Sequence, residues 1–191
     1  MPVPALPLTT ERLLLRPYRS EDFDGTLDMF GRAEVARYLN WDVMDAAAAR
    51  ALVDRRLTQT QLEKEGEGFA LAVEDRTTGR YAGEVILVFI SERDRHGEVG
   101  WSIHPDFHGR GIATEAAGEM LRVGFESMDF HRISAECDPR NVASERVMAK
   151  LGMRREALHL EAMFVKGEWC DSLVCAILAA EWRGQRGEPP T

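Results

Sequence analysis

Residues 104–116, HPDFHGRGIATEA, connect a predicted strand to a predicted helix. The strand is the apolar run 99–103, and small or apolar residues recur at helical spacing between 113 and 128. Gly109 and Gly111 flank Arg110 where the helix begins. Glycine lets the backbone turn sharply and approach a ligand, and the first N–H groups of a helix are unpaired. We therefore expect an anion site, where the helix dipole and Arg110 favour a phosphate or pyrophosphate.

The spacing of this loop separates it from two common phosphate-binding motifs. It is not a P-loop, because the GxxxxGK[ST] spacing is absent and no lysine stands before Thr114. It is not the dinucleotide fingerprint, because no third glycine follows Gly111 at the required distance. The loop resembles instead the pyrophosphate loop of the GNAT N-acetyltransferase superfamily, which reads Gln or Arg, two residues, Gly, one residue, then Gly or Ala. His108, Gly111 and Ala113 stand at those places, and the histidine departs from the pattern.

Further segments resemble the same superfamily in the same order. Residues 131–153 are similar to its strand, its Asn-x-x-Ser motif and its helix ending in Lys-Leu-Gly-Phe, with Met153 in place of the phenylalanine. Residues 8–17, LTTERLLLRP, resemble the first strand of the Rim-type branch, named for enzymes that acetylate the N-terminal amine of ribosomal proteins. Residues 167–171 and 181–182 resemble the last hairpin of that branch.

The resemblance covers residues 8–183 and implies one acyl-CoA N-acyltransferase domain, with residues 1–7 and 184–191 as unanchored ends. The order of predicted elements, β-α-α-α-β-β-β-α-β-α-β-β, also predicts an α/β fold. We expect one mixed, mainly antiparallel sheet flanked by helices.

Capping residues and periodicity predict where the first three helices lie. Ser20 is expected to cap a helix that ends at Phe30, and a short helix is expected over residues 33–39. Asp45 is expected to cap a longer helix that reaches about residue 65.

The resemblance implies that acetyl-CoA is the cosubstrate. The resemblance assigns the binding of acetyl-CoA to Trp101, Ser102, Ile103, His108, Gly109, Arg110, Gly111, Ile112, Ala113, Thr114, Asn141 and Ser144. Asn141 would lie near the pantetheine arm and Ser144 near the sulfur, where a hydroxyl helps to protonate the thiolate. Many relatives carry a tyrosine acid at the position of Met148, so Ser144 or a water must serve here. Helix capping is the alternative role for Asn141.

Acyl transfer to an amine also needs a group that removes a proton from the amine. Glu98 is the first candidate, since it begins the predicted strand that delivers the loop, and its place resembles the strand glutamate used as base in the superfamily. Apolar neighbours such as Val99 and Trp101 would raise the pKa of its carboxyl group. Glu161 is the second candidate, because the Rim-type pattern carries an acidic residue in the penultimate strand. A solvated charge at a strand edge is the alternative for Glu98.

The family geometry implies an acceptor pocket with aromatic residues on two sides. These residues are Phe30, Tyr38, Trp41, Phe164 and Trp169. The acceptor is expected to be a primary amine, either a protein N-terminus or a small molecule, and the donor is either acetyl-CoA or a longer acyl-CoA. A non-catalytic acyl-CoA-binding sensor is the alternative of another class. A sensor would need the loop but not Glu98, Glu161 and Ser144.

Composition narrows the classes of function. The 24 basic and 32 acidic residues give a net charge of −8, which argues against nucleic-acid binding and suits a cationic acceptor. No signal peptide or membrane-spanning run is evident, so we expect a cytoplasmic protein with three reduced cysteines, and a homodimer is left open. His104 and His108 are four residues apart, but Pro105 and Gly109 argue against a helical metal pair. We expect no metal.

Overall fold

In the computed structural model, which describes residues 3–187, strands and helices follow each other as the sequence predicts, with a short first strand and a last helix in addition. The strands are β1 (Leu8–Thr9), β2 (Leu13–Arg16), β3 (Gly68–Asp75), β4 (Tyr81–Ser91), β5 (His96–Ile103), β6 (Arg132–Cys137), β7 (Arg154–Val165) and β8 (Glu168–Leu178). The α-helices are α1 (Phe23–Phe30), α2 (Ala33–Ala36), α3 (Ala46–Thr58), α4 (Ile112–Arg122), α5 (Val142–Lys150) and α6 (Ala179–Gln185). The predicted α/β class is confirmed.

The sheet has the strand order β1-β2-β3-β4-β5-β6-β8-β7, and every neighbouring pair is antiparallel except β5 and β6. The parallel pairing of β5 and β6 covers only three positions and ends where Glu98 faces Ser134. Beyond that point β5 stays paired to β4 and β6 stays paired to β8. The two halves of the sheet therefore separate, and a cleft opens in its middle.

Strand β4 shows why the two faces of the sheet carry different helices. Its side chains alternate, so Val85 and Leu87 join the main core with Met120 of α4, while Glu84 faces α3. A π-helical turn, Val123–Ser127, continues α4 along the core face. The helices α1 and α3 pack against each other on the opposite face. Of these helices, α3 contributes residues to the cleft between β5 and β6, together with the start of α5.

Helix boundaries differ from the predictions at several points. Ser20 opens a short 3₁₀ turn, with Arg19 at its cap, and α1 begins only at Phe23. Asp45 caps α3 as predicted, since its carboxylate accepts a hydrogen bond of 2.8 Å from the backbone N–H of Ala48. The helix ends at Thr58 rather than near residue 65, because the next carbonyl, that of Gln59, accepts a 2.9 Å hydrogen bond from β3. The chain leaves the helix there to join the sheet.

The short helix predicted over residues 33–39 ends at Ala36. Neither β1 nor α6 was expected from the sequence, because each is too short to show a clear period. Trp182 of α6 packs against Phe125 with ring centroids 5.3 Å apart, which fixes the helix to the core. Of the ends expected to be unanchored, residues 1–2 and 188–191 lie outside the described residues. Within residues 3–187, Val3 and Leu6 pack against the core.

None of the helices in residues 3–187 has the length and apolar character to cross a membrane. Cys137, Cys170 and Cys175 are free thiols.

Candidate active site

The glycine loop before α4 has the backbone geometry that an anion site requires. Gly109 and Gly111 have φ of +72° and +77°, in the left-handed region that favours glycine. Gly111 is the N-cap of α4 and, as a glycine, offers no side chain to cap the first turn of the helix. A Cβ atom at Gly109 would meet nothing within 4 Å, so there is open space beside the loop. The first N–H groups of α4, which lack a capping side chain at Gly111, are the groups that an anion would engage there.

Arg12 braces this loop, a role that the sequence analysis missed. Its Nη1 donates a 2.6 Å hydrogen bond to the carbonyl of Arg110, and its Nε donates at 2.7 Å to Glu115 in the first turn of α4. The hydroxyl of Thr10 donates to the same carboxylate at 2.5 Å. A carboxylate beside an anion site would repel the ligand, and Arg12 compensates that charge. Thr10 and Arg12 belong to the segment LTTERL, whose sequence indicates a first strand but not these contacts.

His108 and Arg110, two polar side chains of the loop, contact other parts of the protein. The Nε2 of His108 lies 2.7 Å from the carbonyl oxygen of Ile103, so the ring binds back to the end of β5. The guanidinium of Arg110 lies over the ring of Phe107, 5.3 Å from its centroid, and 3.5 Å from the Asp75 carboxylate. His108 thus holds the loop to the end of β5, while the Arg110 side chain stays half-exposed.

Two adjoining cavities occupy the cleft where β5 and β6 separate. The first, of about 430 Å³, lies between α3, β4, β5 and the start of α5, and we call it the inner cavity. The second, of about 250 Å³, lies between β6, the β7–β8 hairpin and residues 37–40, and we call it the hairpin cavity. Both are lined by Tyr38, Leu39, Glu136 and Cys137, which therefore mark their junction.

Glu98 lies at the last position where β5 pairs with β6, opposite Ser134, and its side chain lines the hairpin cavity. The strand begins two residues earlier than predicted, at His96, so Glu98 is not a strand-edge residue but a half-buried one. Burial, and then the negative charge of Glu136, raises the pKa of the Glu98 carboxyl group. This is the environment that general base catalysis near neutral pH requires.

Asn141 and Ser144 lie together at the start of α5 and both line the inner cavity. The side-chain oxygen of Asn141 accepts a 3.1 Å hydrogen bond from the backbone N–H of Ser144, so the capping role of Asn141 is confirmed. That bond uses the main chain of Ser144 and leaves its half-buried hydroxyl group uncommitted to the cap. Met148 is buried in the core and does not reach the cleft.

The strand before the loop contributes a wall of the inner cavity. Trp101 and Ser102 line it, as do Tyr38 and Trp41 from the segment that follows α2. Ile103 is buried in the main core instead. The structure therefore brings most of the predicted acyl-CoA and acceptor residues to the cleft or its adjoining loop.

Three residues predicted for the acceptor pocket line neither cavity. Phe30 is fully buried in a core cluster, and Phe164 and Trp169 form an exposed ring pair on the hairpin with centroids 5.3 Å apart. Strand alternation turns Met163 and Cys170, the neighbours of that ring pair, toward the cleft instead. The structure does not place these three aromatic residues at the cleft, and their part in an acceptor pocket stays a prediction.

Glu161 lies in a bulge of β7, where the register with β8 shifts, and it has a φ of +48°. Its N–H donates a 2.9 Å hydrogen bond to the carboxylate of Asp171, and its exposed side chain lines neither cavity. Of the two carboxylates considered from the sequence, only Glu98 reaches the cleft.

The histidine pair also separates. His104 is buried, with Nε2 3.0 Å from a carboxylate oxygen of Asp28 and with Nδ1 accepting from the N–H of Asp106. His108 is bound to the end of β5. In the part of the chain that the structure describes, no three His, Cys, Asp or Glu side chains group to hold a metal ion.

Comparisons with known proteins agree with this geometry. Residues 12–154 match the family model described as an acetyltransferase (GNAT) domain. The uncharacterized N-acetyltransferase YnaD of Bacillus subtilis is 33% identical over 92% of this chain and 98% of its own. The [ribosomal protein uS5]-alanine N-acetyltransferase of Escherichia coli is 25% identical, with 94% of each chain covered. A GNAT-family acetyltransferase structure from Bacillus anthracis superposes with a TM-score of 0.81 at 28% identity, covering 94% of this chain and 99% of that one. The chain belongs to the GNAT acetyltransferase family.

Proposed function

We propose that the protein transfers an acetyl group from acetyl-CoA to a primary amine by direct attack of the amine on the thioester. One observation carries this proposal: the cleft that opens beyond Glu98 brings Glu98 and Ser144 to two adjoining cavities, walled by the strand that leads into the glycine loop of α4. Family membership supports the reaction class.

The residues present fit an acyl-CoA. The open space before Gly109 and the unpaired first turn of α4 suit the pyrophosphate group, and the inner cavity, with Asn141 on its wall, suits the pantetheine arm. Bound there, acetyl-CoA supplies an activated acetyl group and a thiolate leaving group.

The protein's own groups manage the protons. As the amine nitrogen bonds to the carbonyl carbon and the carbon–sulfur bond breaks, the nitrogen must lose one proton and the sulfur must gain one. Glu98, with its raised pKa, accepts the first proton and returns it to solvent. The Ser144 hydroxyl group donates the second and is reprotonated by water. No covalent enzyme intermediate is required.

The proposed acceptor is a primary amine on a protein N-terminus or on a small cationic molecule. The uS5-alanine N-acetyltransferase relative favours the first source, and the net charge of −8 suits either. The absence of transfer to every amine tested, with acyl-CoA still bound, would favour the sensor function instead.

The test is release of free thiol from acetyl-CoA against a panel of N-terminal peptides, diamines and polyamines, with calorimetric binding of CoA measured in parallel. We expect Glu98→Gln to lower turnover about 10²–10⁴-fold with little change in CoA affinity, since the amide cannot accept a proton. Glu161→Gln, on the exposed bulge, is expected to keep wild-type turnover. Loss of turnover in Glu161→Gln but not in Glu98→Gln would move the base to β7 and contradict the proposal.

A second variant tests the anion loop. Gly111→Val forces a β-branched residue into a φ of +77°, and its Cβ would come within 3.4 Å of the Arg12 guanidinium. Wild-type protein should gain about 2.7 kcal/mol of stability at a hundredfold excess of CoA over its Kd, and the variant should gain none. An unchanged melting temperature of the wild type under saturating CoA would refute the proposed donor.

A further inference from the structure

We propose that Glu136 binds the protonated acceptor amine at the junction of the two cavities and so determines acceptor affinity, while Glu98 removes the proton. This inference rests on the proposed function, because it assigns a second residue to the acceptor. Glu136 was not among the residues that the sequence pointed to.

The position of Glu136 follows from the register of β6. Ser134 faces Glu98 across the only paired stretch of β5 and β6, and Glu136 lies two residues further along the same face. The strands have separated by then, so the Glu136 side chain enters the cleft rather than the sheet. It lines both the inner and the hairpin cavity, whereas Glu98 lines only the hairpin cavity. Glu136 is the one carboxylate among the four residues that mark the junction of the two cavities.

The carboxylate of Glu136 is held in place by β8. Ser172 is fully buried, and its hydroxyl group donates a hydrogen bond to Oε1 of Glu136. Among residues 3–187, no other donor and no cation engages this carboxylate. Glu136 itself is exposed at the cleft, so its second oxygen is available to a ligand, while the buried Ser172 orients the first.

The cations around the hairpin cavity are already engaged by other groups. Arg140 forms ion pairs of 2.6 Å with Asp138 and 3.0 Å with Glu168. Lys166 donates from Nζ to the carbonyl of Ala36, and the guanidinium of Arg37 lies over the Tyr38 ring at 5.1 Å.

Glu98 and Glu136 are left as the two carboxylates of the cavity walls without a cationic partner in the described residues. The charge of Glu136 contributes to the raised pKa of Glu98, which shows that the two groups interact. A bound ammonium group between them would relieve this repulsion.

The two carboxylates then have different tasks. A primary amine is largely protonated at neutral pH, since ordinary amine pKa values lie between about 7.7 and 10.4. The protonated form binds to an anion, and Glu136, anchored by Ser172, supplies it. An ammonium group loses one proton before it attacks and a second as the amide forms. Glu98, whose raised pKa makes it the better acceptor, takes the first proton, returns it to solvent and then takes the second. Loss of Glu136 should thus weaken binding of the amine more than it slows the chemical step.

The first experiment compares the kinetics of Glu136→Gln, Glu136→Asp and Glu34→Gln with those of the wild type. Glu34 is an exposed carboxylate of α2 that lines neither cavity, so its variant removes the same charge without touching the cleft. We expect Glu136→Gln to raise KM for the amine about 10–100-fold with kcat changed less than about threefold, since a ground-state contact is lost. Glu136→Asp should recover part of the affinity, and Glu34→Gln should match the wild type. An unchanged KM in Glu136→Gln would overturn the inference.

The second experiment separates this inference from the proposed function. Calorimetry measures binding of the preferred amine, or of spermidine if no amine is turned over. The two proteins compared are the Glu98→Gln variant and the double variant Glu98→Gln/Glu136→Gln, each saturated with CoA. A protein that releases no thiol with any amine contradicts the proposed function, but amine binding lost with Glu136→Gln would still support the inference. Equal binding in both variants, or no binding in either, would overturn it.

Discussion

At the scale of single residues, Glu98 connects stability with function. Because burial disfavours its ionised form, its pKa is higher in the folded state than the unfolded value of about 4.3. The fold therefore binds more protons than the unfolded chain between these two pKa values, and stability falls as the pH rises through that interval. The ionised Glu98 therefore lowers stability at neutral pH, while its raised pKa makes it a better base.

This predicts that Glu98→Gln is more stable than the wild type at pH 7–8, since the amide carries no buried charge. The advantage should shrink as the pH falls and disappear below about pH 4, where both side chains are neutral. Urea unfolding at a series of pH values measures it, with Glu161→Gln as the exposed control. A stability difference independent of pH would show that the variant acts through packing and not through charge.

Ser144 offers a second test at this scale. Ser144→Ala keeps the backbone N–H that Asn141 caps, so its melting temperature should stay near that of the wild type. Turnover should fall by up to about 10²-fold if the hydroxyl group protonates the sulfur, because water substitutes only in part. Asn141→Ala is the contrasting variant and should lose about 1 kcal/mol of stability with its cap. Wild-type turnover in Ser144→Ala would remove the serine from the chemistry.

At the scale of elements, the glycine loop depends on the turn between β1 and β2. Arg12 reaches from this turn to both the loop carbonyl of Arg110 and the first-turn carboxylate of Glu115. The start of α4 is thereby positioned by a segment almost a hundred residues away in sequence. The anion site therefore depends on the turn between β1 and β2 as well as on the glycine loop.

We expect Arg12→Ala to raise the Kd for CoA about tenfold, since the loop loses its brace and Glu115 keeps an uncompensated charge beside the phosphates. Arg76→Ala is a matched control, because Arg76 holds the same turn through the carbonyls of Thr10 and Glu11 without contacting α4. Isothermal titration at two salt concentrations measures both. Equal losses in the two variants would indicate that only the turn matters.

At the scale of the whole molecule, a buried ion pair joins the helical layer to the sheet. Arg56 of α3 donates to both carboxylate oxygens of Glu84 of β4, at 2.8 and 2.6 Å, and Tyr18 donates to the same group at 2.7 Å. Both charged side chains are almost completely excluded from solvent. Such a pair contributes little over an apolar pair, but breaking one side leaves a buried charge without a partner.

Arg56→Ala should therefore cost about 3–5 kcal/mol of unfolding free energy. The double variant Arg56→Leu/Glu84→Leu should recover a large part of that loss, since no buried charge remains. Arg32→Ala, which removes the exposed pair between Arg32 and Asp28 of α1, should cost far less. Guanidinium unfolding measures all three, and a double variant no more stable than Arg56→Ala would contradict this explanation.

The fold class and the features that depend on neighbouring residues could be predicted from the amino-acid sequence. The strand, glycine turn and helix of residues 99–122, and the caps at Asp45 and Asn141, need only local spacing and local hydrogen bonds, so they could be predicted.

Which side chains share the cleft depends on how distant segments pair in the folded chain. The bulge that turns Glu161 away, the alternation that exposes Phe164 and Trp169, and the early separation of β5 from β6 all depend on strand register. Register is set by pairing between segments far apart in the chain, and a shift of one residue exchanges the two faces of a strand. For this reason Glu98 was visible in the sequence as a candidate, while Glu136 and Arg12 became functional candidates only once their partners were known.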